Sequence, residues 1–233
     1  MTDENTFEDS GDLDALVKRV DPDRWLSSRF VADPGARADV IAIYAYDYEL
    51  ARAPKVASNA LMGEIRLTWW REVLDEVFEG RHVRHHPAAQ ALAEAVRRRT
   101  LPREPLEAMI DARYRELDVA PMNLADALDW ATGSGGSAAV AAAHVLDPAA
   151  DMAKAQAGGR GWAIGRLMGT AGLTGDEAQA ALAEALAGAG GLSVAAFPAV
   201  AHATLARLRA KGRIPSPLEA RLRLFAAVAR GRV

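Results

Sequence analysis

The 233-residue chain contains no cysteine, which excludes disulfides, thiolate catalysis and every Cys-based zinc or iron–sulfur site. It has no apolar run of the roughly eighteen residues that a membrane-crossing helix needs, and no signal-type apolar core in its acidic opening segment. A surplus of positive charge is missing too: the formal net charge is −3, so nucleic acid is not an expected partner. Nowhere do four or more residues alternate apolar and polar with period two, so no sheet is expected. What remains is a chain half apolar, long enough to bury a core as one domain. The expectation is an all-α protein, soluble and cytoplasmic, peripheral to the inner membrane if it touches one.

Helix signals recur along the chain. Residues 1–20 form an acidic, partly flexible segment in which Asp12 or Asp14 caps a short helix to Val20, and residues 21–233 form the helical domain. Asp21-Pro22 and Asp33-Pro34 are N-cap and N1 pairs. From Arg37 a helix apolar around most of its circumference runs to Pro54, a pattern that belongs in the middle of a helical protein. Ser58-Asn59 caps the next helix, where Ile65, Trp69, Val73 and Val77 recur every four residues until Gly80. Further helices are expected over Pro87 to Arg99, Leu101 to Asp118, and Asn123 to Leu146, the last crossing the Gly/Ser-rich run 133–137 with a kink or a close helix crossing. Asp147-Pro148 starts a helix through Met168, and Thr174 with Glu177 forms a capping box for a helix to Leu186. Two more, Leu192 to Ala210 and Pro215 to Arg230, close the chain.

Several motifs carry no chemistry on this reading. Gly133 to Gly136 and Gly158 to Gly161 follow no strand and lack the Lys-Ser/Thr ending of a phosphate loop. His82, His85 and His86 share a loop with Arg81 and Arg84, whose like charge opposes a metal, so no metal site is assigned. A Ser-His-Asp arrangement has no support in spacing. Asp47 and Glu49 point to different faces of their helix, whereas a magnesium–diphosphate site needs carboxylates at i, i+3 or i+4. Buried acids here are expected to pair with arginine, with Arg52, Arg66 and Arg71 in reach.

Four segments in order carry a resemblance: Tyr44-Ala-Tyr-Asp-Tyr-Glu-Leu-Ala-Arg, then Gly63-Glu-Ile-Arg-Leu-Thr-Trp-Trp-Arg-Glu-Val-Leu, then His86-Pro87, then Ile110-Asp-Ala-Arg-Tyr-Arg-Glu-Leu. Together they resemble the squalene/phytoene synthase family, and the ending Pro215-Ser-Pro-Leu-Glu-Ala-Arg-Leu-Arg-Leu is similar to the last helix of its short bacterial members. The resemblance implies an isoprenoid-synthase helical bundle around a central apolar cavity, where catalytic members condense two prenyl diphosphates head to head. Those members hold magnesium and diphosphate with two aspartate-rich motifs. Counting from Tyr44, the first motif's aspartates fall at Ala51, Arg52 and Lys55, and the segment of the second, Ala163 to Gly175, contains no acid.

The implied function is that of a degenerate family member, with no catalytic residue assigned, no cofactor, and loss of the metal charge that stabilises a leaving diphosphate. Family members with such losses include one resembling a mitochondrial complex I assembly factor, so respiratory-complex assembly or lipid handling is the expected role. The pocket residues assigned are Tyr44, Asp47, Tyr48, Arg52, Arg66 and Trp70, with a prenyl diphosphate or lipid as ligand. Two alternatives stand beside this. One is an active head-to-head prenyltransferase that binds magnesium through displaced acids, Asp47, Glu49, Asp111, Glu116 and Asp118. The other is a peripheral membrane module built on the basic C-terminal segment from Arg207 to Arg230.

Overall fold

The computed structural model describes residues 12–55, 59–170 and 173–233. Among them are α-helices, short 3-10 turns and one π turn, and no strand.

Capping starts the first three helices. The Asp12 carboxylate accepts from the backbone N–H of Asp14 and Ala15 to open α1, Leu13–Val20. Asp21 caps α2, Pro22–Ser28, with Pro22 at its first position. The Asp33 carboxylate accepts from the N–H of Gly35 and Ala36, so α3, Pro34–Lys55, starts at the Asp33-Pro34 signal and is continuous with the helix read from Arg37. Pro54 lies inside α3 instead of ending it; in the last turn the missing N–H costs a single ladder bond. Residues 1–11 of the acidic segment and Ser58 of the expected Ser58-Asn59 cap fall outside the described residues. Asn59 alone caps α4, Ala60–Phe78, by accepting from the Met62 N–H.

α3 is the centre, as its all-round apolar surface requires. Ile43, Tyr46 and Leu50 have no exposed surface. The Tyr46 hydroxyl donates to the Leu106 carbonyl at 3.0 Å, and Asp39, fully buried, is held by Arg98 and Arg99. On α4 the buried face is Gly63, Leu67, Trp70, Val73 and Leu74, while Ile65 is 51% exposed. Of the expected stripe Ile65, Trp69, Val73 and Val77, Val73 is fully buried and Trp69 and Val77 pack against the core, while Ile65 faces solvent. Gly63 faces inward beside them, because a Cβ there would lie 2.3 Å from a Leu117 methyl.

α5, Pro87–Arg99, and α6, Arg103–Tyr114 with a 3-10 turn Arg115–Leu117, match expectation. α7, Leu124–Ala131, opens on an Asn123/Asp126 capping box and continues through a π turn, Thr132–Gly136, into α8, Ser137–Leu146. The glycines of that turn let α9, Met152–Thr170, cross closely: a Cβ on Gly159 would sit 2.1 Å from the Gly135 carbonyl oxygen. Of the expected kink or close crossing, the close crossing is present.

Three expectations fail nearby. α9 begins at Asp151, whose carboxylate accepts from the Ala153 N–H, and not at Asp147-Pro148, which forms a turn. α10, Asp176–Gly188, has Gly175 at φ +105 as its N-cap, so the Thr174/Glu177 box does not form. The single helix expected over Leu192 to Ala210 is broken into 3-10 turns Phe197–Ala199 and Ala201–Leu205 and a short α11, Ala206–Arg209. Pro198 removes a donor there, and its carbonyl is taken by the Ser27 hydroxyl at 2.6 Å instead of by a helix partner. α12, Pro217–Arg230, is capped by Ser216.

α3 packs against α1, α4, α5, α6 and α8, and α9 lies on α8 with α7, α10 and α11 around it. Between α3 and α9 the two layers part.

Candidate functional site

The gap between α3 and α9 is a cavity of about 360 Å³. α3 contributes Tyr44, Asp47, Tyr48, Ala51 and Lys55, a spacing of three and four residues that places them on one helical face. Opposite, α9 contributes Trp162, Ala163, Arg166, Leu167 and Thr170. Asp21 and Arg24 enter from the start of α2, Arg113 and Glu116 from the end of α6, and Trp130, Ser134 and Gly135 from α7 and the π turn. The π turn gives that wall its shape, as such turns do inside functional helices.

Every carboxylate of the cavity is engaged by a guanidinium. Asp47 accepts from Arg24 Nη1 at 2.5 Å and from Arg113 Nη2 at 2.7 Å. Arg113 donates its other nitrogen to Glu116 at 2.6 Å, and Glu116 also accepts from Trp130 Nε1 at 2.9 Å. Asp21 lies 3.8 Å from Arg24 and 3.6 Å from Arg166. Burial alone would raise the Asp47 carboxyl, but the charges of Arg113 and Arg24 outweigh it and hold the group well below the usual carboxylate range. Asp21 goes the other way, raised by burial despite Arg24 and Arg166.

The cations are placed by aromatic faces as well. Arg24 stacks over Trp162 at 4.1 Å, Arg166 lies 4.8 Å from the same ring, and Arg113 lies 5.3 Å from Trp130. Lys55 has no ion pair among the described residues. Arg24 Nε and Nη2, Trp162 Nε1 and the Tyr44 hydroxyl are buried without partners at this wall. His202 packs edge-on to Trp162 and Tyr44, with both ring nitrogens unpartnered. Burial, reinforced by Arg24 and Arg166, holds that imidazole neutral, its pKa well below the ordinary value. The surplus at this wall is of donors, which suits an acceptor-rich ligand group.

Magnesium fits this donor set poorly. Asp47 spends both oxygens on arginines, Glu116 gives one to Arg113, and Asp21 lies beside Arg24 and Arg166; no group of three or more potential ligands that could hold a metal ion occurs among the described residues.

The six pocket residues expected from sequence divide in two. Tyr44, Asp47 and Tyr48 line the cavity. Arg52, Arg66 and Trp70 line a separate outer groove of about 390 Å³ with Glu49, Trp69 and His86. There Arg52 donates to both Glu49 oxygens, at 3.0 and 2.9 Å, and Arg66 is exposed. His86 turns in against Trp69 and Trp70, and burial lowers its pKa, while His82 and His85 stay exposed. Of the other displaced acids, Asp111 pairs with Arg71 and Asp118 with Arg115 at the surface, away from the cavity. Of the arginines expected within reach of the acids, Arg52 pairs with Glu49 and Arg71 with Asp111, whereas the buried Asp47 is met by Arg24 and Arg113, which are remote in the chain. The signal that could have found them is the acid itself: a carboxylate in the middle of an all-apolar helix needs more than one cation.

The sequence model described as squalene/phytoene synthase matches residues 17–174, a span that contains every residue lining the cavity. The chain belongs to the squalene/phytoene synthase family. Its fold is that of the family's solved structures. A dehydrosqualene synthase in complex with ligand superposes with a TM-score of 0.70 at 12% identity, covering 94% of each chain. A squalene synthase from Alicyclobacillus acidocaldarius gives 0.56 at 17% identity, covering 94% of this chain and 92% of that one. Among characterised relatives, the chain is similar to NADH dehydrogenase (ubiquinone) complex I, assembly factor 6. It is 29% identical to the Bos taurus protein over 103 residues and 27% identical to that of Homo sapiens, each match covering 44% of this chain and 30% of the relative. The Dictyostelium discoideum homolog is 24% identical over 85 residues, covering 36% of this chain and 24% of the relative. The matched region is therefore under a third of the length of these relatives.

Proposed function

We propose that this member of the squalene/phytoene synthase family does not condense prenyl diphosphates and serves in the assembly of a respiratory complex, with its cavity kept as a binding site for an isoprenoid or lipid bearing an anionic head. The observation that carries this reading is the cavity's charge pattern. Where the resemblance puts the first metal-binding motif, the wall presents Ala51 and Lys55, and α9 presents Ala163, Arg166, Leu167 and Thr170. The carboxylates that remain, Asp21, Asp47 and Glu116, are neutralised by Arg24, Arg113 and Arg166. Ionising a diphosphate needs metal charge on the leaving group, whereas holding one needs only charge-assisted donors. Lys55, Arg166 and the unpartnered nitrogens of Arg24 supply those donors. The similarity to complex I assembly factor 6 supports the assembly role.

Three measurements test it. Purified protein incubated with magnesium and farnesyl or geranylgeranyl diphosphate is expected to give no squalene or phytoene, and substantial product would sink the non-catalytic reading. Binding of the same diphosphates is expected to be equal in magnesium and in chelator. In the host, removing the gene is expected to lower the amount of assembled NADH dehydrogenase complex on native gels, and an unchanged amount would remove the assembly role.

A further inference from the structure

α12 is anchored on one side and bare on the other. Its inner face, Ala220 and Leu224, is buried in a small cluster with Leu205, against which Leu26, Phe30 and Leu208 pack. Its outer face carries Leu218, Leu222 and Phe225, 66%, 61% and 65% exposed, and Ile214 just before the helix is 78% exposed. On α12 the spacings of four and three residues place Leu218, Leu222 and Phe225 on a single stripe, and Ile214 is exposed just ahead of it. An apolar stripe left in water on an otherwise well-packed helix marks a contact surface.

The charge around it says which kind. Between Arg207 and Val233 the chain has eight Lys or Arg residues and one acid, Glu219, although the whole chain is net negative. Glu219 is taken by Arg213 and Arg223. Arg207, Lys211, Arg221, Arg230 and Arg232 have no ion pair among the described residues. A second copy of this chain would bring the same cations face to face across a two-fold axis. An anionic bilayer meets both features at once: acyl chains take the apolar stripe and headgroups take the flanking guanidiniums, whose stems reach up to them. No helix among the described residues is long and apolar enough to cross a membrane, so the contact lies in the plane of the interface.

We infer that α12 with Ile214 seats this protein on an anionic lipid surface. The surface stands apart from the cavity and does not depend on what the cavity holds. The test is co-sedimentation of the full chain with vesicles of phosphatidylcholine alone and of phosphatidylcholine with about one third phosphatidylglycerol, at low and high salt. Wild type is expected to bind the anionic vesicles only, and to be released as salt shortens the screening length. Leu222→Ser with Phe225→Ser changes two exposed side chains and is expected to keep the melting temperature while binding drops about tenfold. Arg221→Glu with Arg230→Glu, which leaves the apolar stripe intact, is expected to weaken binding about tenfold or more, since each cation near such a surface is worth close to a factor of five. Equal binding to both vesicle types, no binding by wild type, or wild-type binding by both variants would overturn the inference. So would a wild-type dimer that becomes monomeric in Leu222→Ser with Phe225→Ser without any vesicle binding, or capture of an acidic protein through this face in the absence of lipid binding.

Discussion

The two sides of α3 use the same residue types to different ends. On the cavity side, Asp47 is nearly sealed from water and held by two arginines from distant parts of the chain, which are themselves stacked on tryptophans. On the groove side, Glu49 and Arg52, one helical turn apart, form a local pair whose arginine is half exposed. The first arrangement ties α2, α3 and α6 together, and the second ties a helix to itself. A charge in the cavity therefore reports on tertiary structure, and a charge in the groove mostly reports on solvent.

The largest expected effect is at the centre of the cavity network. Asp47→Ala leaves Arg24 and Arg113 buried without their shared counter-charge and is expected to cost about 3–5 kcal/mol in urea unfolding. A loss below about 1 kcal/mol would place the cavity network in the same class as the groove pair. Asp47 also carries an acid limit: its folded pKa lies below its unfolded one. Its stabilisation is therefore full above about pH 4 and lost as pH falls further, a limit that Asp47→Ala should remove. Gly159→Ala alters the cavity wall without touching a charge. Its methyl would meet the Gly135 carbonyl oxygen, so the π turn and α9 must separate, at an expected cost of about 1–3 kcal/mol.

A smaller effect comes from His202. Its folded pKa is depressed by burial and by Arg24 and Arg166, so as pH falls below about 6.5 the unfolded chain takes up a proton that the folded one refuses. Stability should then decline by at most about 1.4 kcal/mol per pH unit. His202→Phe, which keeps an aromatic ring against Tyr44 and Trp162, should flatten the melting temperature between pH 5 and 6.5; an unchanged slope would assign it to other groups. The smallest effect is on the groove side, where Arg52→Gln is expected to change stability by less than about 1 kcal/mol. A larger loss there would erase the contrast between the two faces.

Local signals were legible where a residue acts on its own neighbours. Asp12, Asp21 and Asn59 cap the helices their positions announce, and the apolar girth of α3 correctly puts it in the core. Legibility stopped where a distant group decided. Gly63 leaves room for Leu117 against α4, a contact that no periodicity within α4 contains. The break at Pro198 is completed by a hydroxyl from Ser27, 171 residues away. Thr174 and Glu177 have the right spacing for a capping box, yet the φ of Gly175 gives the N-cap to the glycine.

The stretch from Tyr44 to Lys55 shows the division most plainly. By itself the sequence determined that these residues form one buried helix and that Asp47 and Ala51 share a face. Those are properties of spacing along 12 residues and need nothing else. Only the tertiary structure decided that Asp47 is answered by Arg24 and Arg113, that Lys55 reaches the cavity while Arg52 reaches the groove, and that Trp162, with His202 packed edge-on against it, lines the inner wall. Burial makes the difference: a charge removed from water must find partners wherever the fold brings them, and loop closure sets almost no limit on how far along the chain they come from.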